Sequence, residues 1–241
     1  MIINADTTLN FEKLNQAVRD NSDKEIVING CCGQRYIGAG LKGKEITING
    51  TPGNALGAYL DGSDIIVNGN AQDATGDTMN EGIIKIFGSS GDATGYAMRG
   101  GKIFVKNNVG YRAGIHMKAY KEKIPKLVIG GRAGNFLGEY QAGGVIILLG
   151  QNTDNKPIIG DFCGTGMHGG KIYLRCDRIP VKLPKQVKVK ECTNQDIKEI
   201  ENVIIEFCNE FGYNKDEILS KKFFLLTPDS ANPYTQMYTP N

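Results

Sequence analysis

A glycine recurs through this chain at a fixed interval. Gly38, Gly57, Gly76, Gly95 and Gly114 follow one another at steps of 19 residues, and Gly138 and Gly164 continue the series at steps of 24 and 26. Gly57, Gly95, Gly138 and Gly164 each end a turn signature of the form G-[N/D]-x-x-G, the others end variants of it, and Leu or Met stands three residues on from every one but Gly138. Short alternating runs keep the same beat: Ile26/Ile28, Ile46/Ile48, Ile65/Val67, Ile84/Ile86, Ile103/Val105, Leu127/Ile129, Ile146/Leu148 and Ile172/Leu174. Alternation at every second residue is the period of a half-buried strand. A unit this short has no room for a strand, a helix and a return. Units that cannot bury an apolar face alone do so by stacking.

The expectation is therefore an all-β solenoid, a parallel β-helix of about seven or eight coils with α-helical caps at its ends. Three regions follow: an N-terminal cap helix over 1–22, the β-helix over 23–176, and a C-terminal helical cap with an extended tail over 177–241. Asn10 to Arg19 reads as an amphipathic helix with Phe11, Leu14 and Val18 on one face. Thr193 to Asp196 reads as a helix start of the capping-box kind. An apolar stripe from Ile197 to Phe211 follows, and Gly212 stops it. Such a helix over the open end of the stack would block edge-to-edge pairing. The stretch from Thr227 to Asn241 reads as extended.

The signature glycines are turn residues. They comprise Gly38, Gly53, Gly57, Gly76, Gly91, Gly95, Gly110, Gly114, Gly134, Gly138, Gly160 and Gly164. Asn54, Asp73, Asp92, Asn135 and Asp161 share one corner, where Asx side chains favour turns. Stacked carboxylates in a β-helix can also serve calcium binding or acid–base catalysis, but Asn and Tyr111 alternate with Asp here, and turn chemistry is the better account. The longer steps place insertions at 118–125 and 151–157, which are either partner contacts or neutral loops.

Composition excludes several classes. Glycine makes up 32 of 241 residues, with no collagen period. Lys+Arg is 28 against 26 for Asp+Glu, so no basic footprint points to nucleic acid. No apolar run has the length to span a membrane. The start carries no secretory pattern, and the six cysteines form no CxxC pair, so they read as reduced thiols in a cytoplasmic protein. No metal or cofactor site is expected in this chain. Two G-x-G-x-x-G strings, at Gly38–Gly43 and Gly164–Gly169, precede β-runs rather than helices and belong to the repeat, not to a phosphate cradle. The Leu41, Leu60, Met79, Met98, Met117 and Met167 column reads as a stacked interior row. Arg99, Arg112, His116 and Lys118 gather positive charge in adjacent repeats; they form a partner contact, an anion contact or plain solvated surface.

Several strings resemble the GXGXG domain that closes the large (alpha) subunit of glutamate synthase. They include Gly53-Asn54-Ala55-Leu56-Gly57, Gly91-Asp92-Ala93-Thr94-Gly95 and Gly134-Asn135-Phe136-Leu137-Gly138. Gly33 to Gly38, Met98 to Ile103, Gly114 to Lys118, Gly138 to Gly144 and Asn232-Pro233-Tyr234 are similar to a free-standing form of it. The resemblance covers about residues 23–176 and implies a right-handed β-helix. It also implies a division of labour in which this part has no catalytic residue. A glutamine amidotransferase chain would release ammonia. An FMN and iron–sulfur synthase chain would consume it, making glutamate or, in related split systems, N-methylglutamate. The β-helix would hold the two together and border the ammonia route, with self-association also open. The C subunit of formylmethanofuran dehydrogenase and a stand-alone β-helix carbohydrate-active enzyme are the rival readings.

Overall fold

A computed structural model describes residues 1–229. In chain order the elements are β1 (Ile2–Asn4), α1 (Phe11–Asp20), β2 (Glu25–Cys32), β3 (Glu45–Thr51), β4 (Asp61–Asn68), β5 (Glu81–Ile86), β6 (Lys102–Val105), β7 (Lys126–Ile129), β8 (Ala142–Leu148), β9 (Gly169–Arg175), β10 (Val187–Glu191), α2 (Asn194–Phe211), α3 (Lys215–Leu219) and β11 (Phe223–Pro228). The strands form one eleven-stranded sheet. β1 to β9 lie side by side in sequence order and parallel; β11 then pairs antiparallel with β9, and β10 with β11.

This corrects the expected all-β solenoid, the right-handed parallel β-helix with helices over its ends. All the named strands belong to a single sheet, which is open and mixed rather than closed on itself. The mostly parallel sheet with its helices is α/β-like. The cause lies in the return segments between strands. They are runs of tight turns with left-handed residues, not strands, and only isolated bridges such as Ala71↔Ser90↔Val109↔Ala133 occur along them. The 19-residue beat therefore sets the register of one sheet.

That register stacks like on like. Ile26, Ile46, Ile65, Ile84, Ile103, Leu127, Ile146 and Ile172 are successive cross-strand partners and are all buried. Each such side chain contributes roughly 1.5–3 kcal/mol on leaving water. The Leu60, Met79, Met98, Met117 and Met167 column is buried in the same core. The column breaks at Gln141, where the turn before β8 buries an amide whose Nε2 donates to Gly143 O and Gly144 O. Helix α1, with Asn10 as N-cap accepting from Glu12 N, adds Leu14 and Val18 to that core beside Ile26.

Helix α2 does not cover the end of the stack. It lies on the outer face of the sheet, where Ile200, Val203, Ile204 and Phe207 pack with Phe104, Val128, Ile147 and Tyr173. The open edge at β9 is instead paired by β11. Reading beyond 229, including Asn232-Pro233-Tyr234, falls outside the described residues.

The start of α2 is a capping box. Thr193 Oγ1 accepts from Asp196 N, and Asp196 Oδ2 accepts from Thr193 N at 2.8 Å. Lys190 Nζ donates to Asp196 Oδ1 at 2.8 Å. The Lys190 hydrogen bond, and then those from Thr193, hold this buried carboxyl well below its usual range, at about 2. A carboxyl with a depressed folded-state pKa stabilises the fold above its unfolded pKa, and that stability is lost as pH falls through the folded pKa. Asp196→Ala is expected to cost about 1 kcal/mol at neutral pH. It should also flatten the stability profile between about pH 4 and pH 2. Chemical denaturation across that range checks both; an unchanged acid slope would refute the assignment.

Candidate partner-contact surface on the turn layer

Each return segment carries three left-handed positions, two residues apart. In one repeat they are Arg112 (φ 56°), Gly114 (φ 67°) and His116 (φ 55°). The same stations hold Ala93, Gly95 and Ala97 before it, and Phe136, Gly138 and Tyr140 after it. Non-glycine residues at positive φ are costly, by roughly 1–3 kcal/mol each, and persist where surrounding structure over-determines them. Here the backbone does so. Arg112 N donates forward to Asn135 O at 2.9 Å and His116 N forward to Glu139 O at 3.0 Å, while Gly114 N donates back to Thr94 O at 2.8 Å. Each turn between the first and the last is thus bonded to both neighbours.

Gly38, Gly57, Gly76, Gly95, Gly114, Gly138 and Gly164 all occupy the central left-handed station. At Gly114 the reason for glycine is double, because a Cβ there would also overlap Ile146 Cδ1. Gly53, Gly91, Gly110, Gly134 and Gly160 stand at a second station, where the chain passes against the preceding repeat. Asp73 Oδ1 accepts from Asp92 N at 2.9 Å, Asp92 Oδ1 from Tyr111 N at 2.8 Å, and Asn135 Oδ1 from Asp161 N at 2.9 Å. Asp73 and Asp92, like Asn135, are therefore turn residues that reach into the next repeat. The oxygen of Asp92 lies where a Cβ of Gly110 would be. The G-[N/D] dipeptide and the stacking of repeats are one steric fact.

The remaining motifs are bound up in the packing of the repeats. The amides of both G-x-G-x-x-G strings are engaged with neighbouring repeats: Gly40 N donates to Ala58 O, Gly43 N to Gly62 O and Gly169 N to Gln141 O. Burial pushes the Cys163 thiol up to about 12 and the Cys31, Cys176 and Cys192 thiols up to about 11, away from nucleophilic thiolate. Among the described residues no group of three or more His, Cys, Asp or Glu is placed to hold a metal ion. No helix among them is long and apolar enough to cross a membrane.

The outer left-handed stations aim side chains outward, and at Arg112 and His116 they build a surface. Arg112 Nε binds Glu139 Oε2 at 3.1 Å, and its guanidinium lies over the Phe136 ring at 5.0 Å. Phe136 stacks on Phe162 at 4.9 Å between centroids. His116 stacks on Tyr140 at 5.2 Å, with Tyr96 edge-on at 5.9 Å. Arg99 and Lys118, each one residue past the Met column, are exposed at equivalent positions of adjacent repeats. The structure thus joins Arg112 and His116 into one aromatic and cationic patch. It adds Phe136, Glu139, Tyr140 and Phe162, which sequence reading passed over. For Phe136, Tyr140 and Phe162 the signal is a non-glycine residue two positions either side of a signature glycine; Glu139 carries none.

These turns carry the motif that defines a family. The chain belongs to the GXGXG motif family, whose model matches residues 18–229. It is thereby related to the domain that closes the large subunit of glutamate synthase. A relative is the uncharacterized protein MJ1350 of Methanocaldococcus jannaschii, 46% identical over 95% of this chain and 92% of its own length.

Proposed function

We propose that this chain is a non-catalytic scaffold subunit of a glutamate synthase-like complex in the cytoplasm. It holds a glutamine amidotransferase chain and a separate synthase chain that carries FMN and an iron–sulfur cluster, and it borders the path of ammonia between them. The observation that carries the reading is the patch of Arg112, Phe136, Phe162, His116 and Tyr140. Arg112, His116 and Phe162 are exposed over half-buried Phe136 and Tyr140, and the turns that bear all but Phe162 are hydrogen-bonded to the repeats on both sides. Aromatic residues and arginine are what protein interfaces concentrate at their energetic centres. A surface that needs no ordering on binding loses little entropy when a partner docks.

Co-expression with the two partner chains, followed by affinity purification, tests it. The expectation is recovery of a three-chain complex, with at least a tenfold loss of one partner on the Arg112→Ala, His116→Ala double replacement. Recovery of neither partner by the unaltered chain would overturn the proposal.

A further inference from the structure

The outer face of the sheet is half covered. Across neighbouring strands one outward row runs Ile2, Val27, Thr47, Ile66, Lys85, Phe104, Val128, Ile147 and Tyr173. Helix α2 packs on the later part of it; none of the outward residues of β1 to β4 belongs to the α2 cluster. Ile2 is 68% exposed, and Val27, Thr47 and Ile66 are only half-buried.

The row beside it changes sign at the same boundary. On the uncovered half it reads Glu25, Glu45, Asp64; on the covered half it includes Lys102, Lys126 and Lys171. The covering helix is matched to the basic part. Glu206 pairs with Lys102 at 2.5 Å and Glu199 pairs with Lys171, while Glu210 reaches Lys85 at 2.5 Å. These pairs show α2 crossing the strands from β9 towards β5, where Gly212 ends it in a left-handed cap. On the far side of the uncovered strip, Asn29, Asn49 and Asn68 form a side-chain ladder with bonds of 2.7 and 2.8 Å. The strip holds a trough of about 290 Å³ floored by Val27, Thr47 and Ile66, walled by Glu25, Glu45 and Asp64, and closed at its β5 end by Lys85.

We infer that this half of the sheet, Val27, Thr47 and Ile66 with Glu25, Glu45 and Asp64, is the seat of an amphipathic helix of a partner protein whose flank is basic. The internal precedent sets the chemistry. On one sheet face, the basic half holds an apolar helix with an acidic flank; on the acidic half Lys24 pairs with Glu45 at 2.5 Å, while Glu25 and Asp64 enter no ion pair among the described residues, so that half calls for the opposite flank. The row lies in line with α2, and a second helix would complete the layer. The inference extends the scaffold reading, since joining two chains takes two docking faces, but it is tested without either of them.

The probe is a fluorescent 18-residue helical peptide with a leucine stripe flanked by lysines, and its counterpart flanked by glutamates, titrated into the full chain by anisotropy. The lysine peptide is expected to bind at least tenfold more tightly. Glu45→Lys with Asp64→Lys should abolish that preference, and Ile66→Ser should weaken binding severalfold. Glu122→Lys, a charge change on an exposed loop, should leave it unchanged. Heat unfolding of each variant shows that the fold is kept; should Ile66→Ser fail to fold, the two surface charge changes still decide. Equal binding of both peptides, or binding indifferent to the charge reversals, would overturn the inference. So would a dimer of the unaltered chain that the same replacements dissociate.

Discussion

Phe207→Ala is expected to destabilise the protein by about 3–5 kcal/mol, the range for emptying a well-packed aromatic site. Phe207 is fully buried at the centre of the layer between α2 and the sheet. Its ring meets Phe104 at 5.6 Å and Phe211 at 4.8 Å edge-on, and stacks with Tyr213 at 5.9 Å. Aromatic pairs of this kind add about 0.5–1.5 kcal/mol each beyond area burial. The loss should fall on the α2 layer rather than on the Ile26 to Ile172 row, which belongs to a separate cluster. Hydrogen exchange should thus show α2 and β11 opening first while β2 to β5 stay protected. Chemical denaturation measures the total; a change below about 1 kcal/mol would mean that the helix contributes little to the sheet's stability.

Gly110→Ala is the second large effect. The new methyl would meet Asp92 Oδ1, and beyond it Asp92 N and Gly91 C at 2.9 Å, so backbone as well as side chain must shift. A cost of about 3 kcal/mol or more follows, at the upper end of overpacking penalties. For a chain of this size that is a fall of about 6–12 °C in melting temperature. Asp92→Ala alone removes the bond to Tyr111 N and should cost about 1 kcal/mol. In the double variant the side-chain part of the clash is gone, so the two changes should be less than additive, with a coupling in the range of about 0.5–3 kcal/mol. Strict additivity would show that the corner oxygen does not determine the glycine.

These effects trace what was readable in the chain and what was not. The alternating pairs from Ile26/Ile28 to Ile172/Leu174 locate β2 to β9, because a two-residue period fixes which side chains face inward. Helices α1 and α2 announce themselves through the Asn10 cap, the Thr193–Asp196 box and Gly212, which are local chemistry. The sheet's far edge does not. β10 and β11 find their partners across long stretches of chain, and nothing periodic marks Phe223 to Leu226 as the neighbour of β9. Nor did the repeat distinguish a closed stack of strands from one sheet joined by turns. The decision rests on left-handed residues such as Arg112 and His116, side chains that ordinarily avoid that conformation and reveal nothing of it in their identity. Glu139 was likewise silent: its burial depends on an arginine one repeat earlier.

The two long insertions leave the chain between a turn and a strand: one after Met117 and before β7, the other after β8 and before Gly164. Neither interrupts the three left-handed stations. Architecture of this sort separates what must be kept from what is free to vary. New loops can be spliced in at the joints, and recognition can diversify, without rewriting the rungs that bear them.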